Sequence, residues 1–507
     1  MPIPVIDLFA GPGGLGEGFS SLLNEENERI FKIRLSIEMD ALAHQTLELR
    51  AFFREFPVGV VTPDYYDYLA KKISREELFK RHPQEAQSAK NEAWRAELGG
   101  KDTPNEDIDE RITTALGNRR NWILIGGPPC QAYSLVGRSR VIGAEGGLAK
   151  YEADPRHKLY RHYLRILAVH QPPIFVMENV KGLLSAKVKQ EHIFEKILED
   201  LKNPTAALPL LRNLAPVGYQ LYPLSTESGD LLGDFQPEDF VLRAEEHGVP
   251  QARHRIIILG VRTDIRRGPG VLAKADPVTV AEAIGDLPRL RSGLSKEPDS
   301  PEAWKKAVRE VGKSAWLRNS DLKKVLASAL RHVSSDLTRG AEYLPGATTP
   351  ARHDDWYVDP LLRGVLNHET RGHIRKDLHR YFFAAVFTRQ HGRSSLLEDL
   401  PTSLLPDHKN VESALMETKF NDRFRVQVAG RPSTTVVSHI SKDGHYFIHY
   451  DSSQCRSLTV REAARLQTFP DNYRFEGPRT EQYRQVGNAV PPLLAKQIAE
   501  KVAELML

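Results

Sequence analysis

A short apolar run near the start of the chain leads directly into a glycine-rich turn, and this junction constrains the fold most. Residues 5–9 have the composition of a buried strand, and residues 10–16 have the glycines of a tight turn that opens a helix. Small residues at a helix amino terminus let a ligand approach the backbone closely. The junction therefore predicts an α/β domain with a ligand-binding loop after its first strand.

Strand and helix patterns alternate through the first half of the chain. Segments with strand character occupy residues 33–37, 123–125, 174–177 and 256–261, and residues 160–170 have helical spacing. This alternation is typical of a doubly wound α/β sheet. Residues 52–120 are charged and mostly helical in pattern, and we interpret them as a helical insertion between early strands.

The composition changes after about residue 275, where proline, serine and charged residues replace the strand pattern. Residues 276–455 are therefore predicted to form a second, smaller domain. From Arg456 onward, regular secondary-structure patterns return. We expect residues 456–507 to return to the first domain, which comprises residues 1–275.

The bulk composition excludes several classes of protein. With 507 residues, 27% of them charged and 40% hydrophobic, the chain is an ordinary globular one of two or three domains. Its net charge of +4 fits a polyanionic partner but does not require one. Two cysteines, Cys130 and Cys455, argue against a disulfide framework. No apolar run is long enough to span a bilayer and no signal peptide is present, so we expect a cytoplasmic protein without membrane contact.

A lone cysteine follows two prolines in the sequence Gly127-Pro128-Pro129-Cys130-Gln131, just after the apolar run at 122–125. The prolines stiffen the turn, which would hold a nucleophile steady at the end of a strand. An isolated Pro-Cys pair is more often structural. Here it is followed, in order, by Glu178-Asn179-Val180, by residues 251–255 (Gln-Ala-Arg-His-Arg) and by residues 485–488 (Gln-Val-Gly-Asn). Together and in this order, these motifs resemble the DNA (cytosine-5)-methyltransferase family across nearly the whole catalytic core.

The resemblance implies covalent catalysis at the cytosine ring. Carbon 5 of cytosine is a poor nucleophile until a thiolate adds to carbon 6, and in this family the Pro-Cys-Gln cysteine adds, here Cys130. Glu178 is then implied to protonate N3, which relieves the negative charge on the ring. Arg255 is implied to contact the flipped cytosine, with Arg253 in a supporting role. Amino-group methyltransferases carry an aromatic residue where this chain has Cys130.

The resemblance also implies a Rossmann-like catalytic domain that binds S-adenosylmethionine and no metal. The loop after the first strand matches the family's first motif, and Glu38 falls where the family places its ribose-binding acid. The implied cofactor-binding residues are Asp7, Phe9, Gly11, Gly13, Gly14, Glu38, Pro129, Asn488 and Val490. The acid that contacts the adenine ring stays open, with Asp64, Asp107 and Asp109 as candidates.

The second domain is implied to be the target-recognition domain, which reads a specific sequence in double-stranded DNA. Seven basic residues in 361–393 predict a surface that lies on phosphates. Residues 132–150 are implied to close over the flipped base. We expect a monomer, with a cognate restriction endonuclease as a possible partner acting on the same site.

Two alternatives remain at this stage. The tRNA-modifying branch of the superfamily usually carries Cys-Phe-Thr and a small recognition region, but this chain has no Cys-Phe-Thr and a large region. A non-catalytic DNA-binding regulator would require loss of a catalytic residue, whereas Cys130, Glu178 and Arg255 are all present. The sequence favours the DNA methyltransferase.

Overall fold

The computed structural model describes residues 1–129, 156–188, 191–208, 211, 213–227, 235–319, 322–406 and 421–507. The strands of these segments are β1 (Ile3–Leu8), β2 (Phe31–Glu38), β3 (Ala93–Arg95), β4 (Ile123–Gly126), β5 (Ile174–Val180), β6 (Lys187–Val188), β7 (Glu191–His192), β8 (Tyr219–Tyr222), β9 (Val241–Arg243), β10 (Gln251–Ala252), β11 (His254–Arg262), β12 (Gly293–Leu294), β13 (Gly340–Pro345), β14 (Gly364–Glu369), β15 (Gly372–His373) and β16 (Ser433–Thr434).

The α-helices of the same segments are α1 (Gly14–Ser20), α2 (Ala41–Arg54), α3 (Pro63–Leu69), α4 (Arg75–Arg81), α5 (Pro83–Glu92), α6 (Asn105–Leu116), α7 (Arg156–His170), α8 (Ile193–Lys202), α9 (Pro204–Ala207), α10 (Val280–Ile284), α11 (Pro301–Arg309), α12 (Lys323–Arg331), α13 (Asp354–Tyr357), α14 (Arg375–His391), α15 (Val460–Leu466), α16 (Arg479–Asn488) and α17 (Pro492–Met506). None of the helices in the described segments is long and apolar enough to cross a membrane.

The main sheet has the strand order β3-β2-β1-β4-β5-β11-β8, with β9 also paired to β11. Strands β1 to β5 pair in parallel, while β11 runs antiparallel to β5, β8 and β9. The order reverses between β1 and β4, and ligands of doubly wound sheets bind outside the carboxyl ends of the strands at such a point. The predicted α/β fold is confirmed.

Apolar residues cover both faces of this sheet. On one face, β1 and β2 pack with α6, α7 and α8, and on the other they pack with α1 and the carboxyl-terminal α17. Parallel strands buried on both sides have continuous apolar sequences, which is why residues 123–125 and 174–177 are detectable as strands. The last helix of the chain is therefore part of the same core as the first strand.

The predicted helical insertion, residues 52–120, needs correction because it contains a strand of the main sheet. Strand β3 pairs in parallel with β2, and α6 then leads toward β4. Only α3, α4 and α5 are extra helices before β3. At three residues, β3 is too short to show an alternating pattern, so the sequence did not reveal it.

The extra helices pack against the second half of the chain. Buried residues of α2, α3 and α5 form one cluster with Leu362 and Leu366, next to the β13–β14 hairpin. The Tyr66 hydroxyl also donates to Asp359 Oδ2 at 2.7 Å. The inserted helices therefore support this hairpin.

A separate apolar cluster lies in the second half of the chain, and all its buried members fall between Leu294 and Cys455. It is built around α11, α12 and α14. The helix α15 begins with a capping box formed by Thr459 and Glu462. Glu462 is fully buried and also pairs with Arg456, so the start of the carboxyl-terminal segment is fixed by a buried ion pair.

Candidate active site

The carboxyl ends of four sheet strands meet at one edge and bring the predicted motifs together. In the sheet register, Leu8 of β1 lies opposite Ile37 of β2 and Gly126 of β4. Gly126 in turn lies opposite Met177, the residue before Glu178. The glycine loop after β1, the proline turn after β4 and the acid at the end of β5 are therefore neighbours.

The glycine loop is held on one side by the Glu38 carboxylate. Its Oε2 accepts from the Gly11 amide at 2.8 Å, and its Oε1 accepts from the Asp40 amide at 2.7 Å. Burial raises the pKa of Glu38, and these two amide donors oppose that rise. The Asp40 side chain caps α2 by accepting from the amides of Leu42 and Ala43, so Asp40 has a structural role.

Two glycines of the loop leave no room for a side chain. A Cβ atom added to Gly14 would lie 2.3 Å from the Val490 carbonyl oxygen, and one added to Gly13, at φ 97°, would lie 2.9 Å from Leu47 Cδ1. The contact with Val490 places the motif at residues 485–492 beside the loop. Asn488, at the end of α16, is exposed. The backbone of Phe9 also has a positive φ, 57°, at the point where β1 enters the loop.

Asp7 lies beneath the loop and is not open at its surface. The residue is 0% exposed, and its Oδ2 lies 3.2 Å from the position that a Cβ on Gly16 would take. Burial raises the pKa of Asp7 to about 8, although Arg54 opposes the rise. The structure thus places Asp7 under the first turn of α1, where it supports the loop from behind.

The three acids considered for the adenine ring lie away from Glu38. Asp64 pairs with Arg81 and His82, Asp109 pairs with Arg165 and His170, and Asp107 lines a cavity of about 670 Å³ beside Lys32, Arg34 and Trp94. The acid that follows β3 at this edge of the sheet is Glu97, and β3 pairs with β2 so that Arg95 lies opposite Glu38. Glu97 was not among the three candidate acids, because its position at this edge follows only once β3 is known to be a strand of the sheet.

An apolar residue at the same edge was also missed from the sequence. Met39 follows Glu38 directly, and its side chain is 55% exposed. The exposed Met39 side chain lies next to the partly buried Glu38 carboxylate, so this edge offers both an apolar and a polar contact surface. An apolar residue directly after a strand-end acid is the signal that could have indicated it.

Glu178 and Arg255 face each other across neighbouring strands. Arg255 Nε lies 2.8 Å from Glu178 Oε1, and both side chains are mostly buried. Burial lowers the pKa of Arg255, and the Glu178 carboxylate opposes this. Glu178 Oε2 lies 2.9 Å from the position of an added Cβ on Gly127. The carboxylate therefore lies against the backbone that leads to Cys130.

The same turn is anchored by the next residue of β5. Asn179 Nδ2 donates to the Pro128 carbonyl oxygen at 3.2 Å, and its Oδ1 accepts from the Val180 amide at 2.8 Å. Pro129, the last described residue before Cys130, is partly buried. Asn179 thus anchors the turn that leads to Cys130, while Glu178 places its carboxylate against the same turn.

Arg253 lies behind this pair and joins distant parts of the chain. It is 2% exposed, and its guanidinium donates to the carbonyl oxygens of Val436 at 2.8 Å, Ala489 at 2.8 Å and Gly487 at 3.3 Å. Burial lowers the pKa of Arg253, and the nearby Arg255 lowers it further. Its visible role is to hold residues 436–489 against β11.

Cys130 and residues 132–150 lie outside the described residues, so the predicted nucleophile and lid have no structural account. The other cysteine, Cys455, is buried, and its Sγ donates to the Leu378 carbonyl oxygen at 2.9 Å. Burial raises the pKa of this thiol. Cys455 is therefore unsuited to act as a nucleophile.

Several arginines of the basic segment 361–393 pair with other groups of the protein. Its internal pairs are Arg371 with the carbonyl oxygens of Ile440 and Lys442, Arg375 with Glu297 and Glu310, Arg380 with Asp377, and Arg393 with Asp399. These four guanidinium groups are committed to contacts within the protein. Most of these partners are distant in sequence, and the Arg375 and Arg393 side chains are still 40% and 49% exposed. The phosphate-facing surface therefore stays a prediction.

Comparisons with known proteins show which family the chain belongs to. The family model described as C-5 cytosine-specific DNA methylase matches residues 85–204 and 227–504. Type II methyltransferase M.Bpa9945I of Bacillus paralicheniformis is 33% identical over 522 residues, which cover 99% of each chain. Type II methyltransferase M.AgeI of Thalassovita gelatinovora is 27% identical over 98% of each chain. DNA (cytosine-5-)-methyltransferase M.ApeKI of Aeropyrum pernix is 29% identical over 79% of this chain and 85% of its own.

The matched family segments contain Glu178, Arg253, Arg255 and the carboxyl-terminal motif, and they include the turn that precedes Cys130. The chain therefore belongs to the C-5 cytosine-specific DNA methylase family and is a DNA (cytosine-5-)-methyltransferase.

Proposed function

We propose that this enzyme transfers a methyl group from S-adenosylmethionine to carbon 5 of a cytosine flipped out of a specific duplex DNA sequence. The observation that carries the proposal is the Glu178–Arg255 ion pair, whose carboxylate lies against Gly127 at the start of the Cys130 turn. The glycine loop after β1 lies at the same edge of the sheet. A nucleophile, an acid and a cofactor loop at one edge are the parts that this reaction needs.

The proposed reaction begins when the Cys130 thiolate adds to carbon 6 of the cytosine. Glu178 holds a proton at N3, and Arg255 orients the Glu178 carboxylate and the base. Carbon 5 then takes the methyl group, and S-adenosylhomocysteine leaves as a neutral thioether. Loss of the proton from carbon 5 expels the thiolate, which regenerates Cys130 and restores the aromatic ring. Flipping is required because carbons 5 and 6 cannot be reached by a thiolate within a stacked duplex.

The residues at the glycine loop fit the proposed cofactor. Gly11 leaves open space where a side chain would stand, whereas Gly13 and Gly14 let the loop pack closely on Leu47 and Val490. Glu38 offers a partly buried carboxylate to ribose hydroxyls. Met39 offers an apolar contact for a flat ring. Phe9, Pro129, Asn488 and Val490 complete the proposed site, Glu97 is our candidate for the adenine contact, and Asp7 supports the loop from below. When bound, the cofactor supplies the electrophilic methyl group.

We further propose that residues 276–455 form the target-recognition domain and that residues 1–275 and 456–507 form the catalytic domain. The separate apolar cluster between Leu294 and Cys455 supports this division, as does the packing of α17 on α1. The names of two relatives as type II methyltransferases suggest a restriction–modification setting, with an endonuclease for the same site. The proposed enzyme acts as a cytoplasmic monomer.

Trapping on 5-fluorocytosine DNA tests the covalent mechanism. Fluorine at carbon 5 cannot leave as a proton does, so an adduct formed with S-adenosylmethionine should persist through denaturing electrophoresis. The wild type should give this adduct on duplex DNA that contains its target sequence, and Cys130→Ala should not. Cys455→Ala, a matched cysteine control, should give the adduct at the wild-type level.

A second arm of the same experiment addresses the substrate. Duplex DNA and tRNA are offered in parallel as methyl acceptors. We expect labelling of DNA alone. Labelling of tRNA alone would refute the DNA proposal, and absence of any adduct with the wild type on its target site would refute the covalent one.

A further inference from the structure

A tyrosine from the carboxyl-terminal segment hydrogen-bonds to the backbone of the glycine loop. The Tyr473 hydroxyl donates to the Pro12 carbonyl oxygen. The amide of the same peptide group, that of Gly13, donates to the Ala10 carbonyl oxygen at 2.9 Å. Because the C=O and N–H of a trans peptide point in opposite directions, this peptide group is fixed at both ends.

This peptide group would otherwise be free to turn over. A flip of this peptide changes the φ of Gly13, which is 97°, and glycine occupies positive and negative φ with similar ease. A flip of the Pro12–Gly13 peptide therefore has little intrinsic cost. The hydroxyl of Tyr473 favours one of the two orientations, since only one directs the Pro12 oxygen toward it.

Tyr473 is itself held rigidly. It is fully buried, its ring lies 4.8 Å from that of Phe469, and the Arg50 guanidinium lies 4.8 Å from its centroid. Arg50 Nε donates to Glu17 of α1 at 2.8 Å, and its Nη1 donates to Asn472 at 2.9 Å. The donor of the Pro12 hydrogen bond is thus fixed to the helix that follows the loop.

We propose that Tyr473 is a positioning residue for S-adenosylmethionine, because its hydroxyl holds the Pro12–Gly13 peptide in the orientation that receives the cofactor. This inference rests on the proposed function. Tyr473 acts through the loop backbone and does not touch the reacting atoms. Its effect therefore falls on cofactor affinity and not on the chemical step.

The test compares Tyr473→Phe with Tyr219→Phe. Both substitutions remove one buried hydroxyl and keep the ring, but the Tyr219 hydroxyl donates to the Pro172 carbonyl oxygen at 2.9 Å, just before β5 begins, and not to the loop. Titration calorimetry would measure the Kd for S-adenosylmethionine, and steady-state assays on target DNA would measure KM and kcat. We expect Tyr473→Phe to raise the Kd and the KM for S-adenosylmethionine about tenfold, because the buried Pro12 carbonyl is left without its donor.

With saturating cofactor, kcat of Tyr473→Phe should stay within about twofold of the wild type, and Tyr219→Phe should leave both constants within the same margin. Unchanged affinity in Tyr473→Phe, an equal loss in Tyr219→Phe, or a fall in kcat alone would overturn the inference. A wild-type protein that does not bind S-adenosylmethionine would refute the proposed function, and this inference with it.

Discussion

The buried carboxyl of Asp7 should make the protein less stable as the pH rises, and Asp7→Asn should remove this dependence. Asp7 is 0% exposed, and no side chain among the described residues donates a hydrogen bond to it. Among these residues, only the Gly16 amide lies close enough to oppose a rise in its pKa as a backbone donor. Burial raises its pKa from 3.8 to about 8, and nearby Glu38 and Glu92 contribute to the rise. The folded protein therefore keeps this carboxyl protonated near neutral pH.

The sign and size of the effect follow from linkage. In the unfolded chain, Asp7 loses its proton near pH 3.8, whereas in the folded protein it keeps the proton to about pH 8. Between these values the unfolded state binds fewer protons, so the free energy of unfolding falls as the pH rises. The slope is about 1.4 kcal/mol per pH unit. Over roughly four units this gives an upper bound of about 6 kcal/mol.

Urea unfolding of the wild type and Asp7→Asn, followed by tryptophan fluorescence at several values from about pH 5 to 8, measures this slope. The variant's free energy of unfolding minus that of the wild type should increase by about 1 kcal/mol per pH unit. The packing of the substituted amide side chain changes this difference by the same amount at every pH, because the amide does not titrate in this range. A difference that does not change with pH would refute the reasoning.

Three further substitutions test the site. Glu178→Gln should lower kcat by about 10² to 10³ with little change in cofactor Kd, since the acid at N3 is lost; unchanged kcat in a methylation assay would contradict this. Gly14→Ala should weaken S-adenosylmethionine binding at least tenfold and destabilise the protein by about 1–3 kcal/mol, because its Cβ would lie 2.3 Å from the Val490 oxygen. Gly182→Ala, with no atom within 4 Å of the added Cβ, is the control for calorimetry and melting. Arg253→Met should lower stability by about 2–4 kcal/mol because it leaves buried carbonyl oxygens unpaired, and an unchanged melting temperature would argue against that role.

Local patterns in the sequence predicted most of the sheet. The strands at residues 5–9, 123–125 and 174–177 are buried on both faces, and such strands have continuous apolar sequences. The location of Glu38 at the end of β2 follows from the alternating apolar and polar residues of that strand. These features depend on neighbouring residues, which is why one sequence is enough to find them.

Features that depend on distant residues were not predictable. The three-residue strand β3 exists because β2 offers it a partner, and Glu97 could not be placed at this edge of the sheet before β3 was known. The contact of Tyr473 with Pro12 spans 461 residues of sequence. Arg375 seemed free for phosphates because Glu297 and Glu310 are far from it in the chain.

The measurement that tests the central claim most directly is base-resolution 5-methylcytosine sequencing of host DNA after expression of the wild type and of Cys130→Ala. The account predicts a short sequence motif methylated at cytosine carbon 5 by the wild type and not by the variant, with both proteins soluble. Methylation of the same motif by Cys130→Ala would contradict the covalent mechanism. Absence of 5-methylcytosine from the DNA of cells that contain soluble wild type would contradict the proposed DNA substrate.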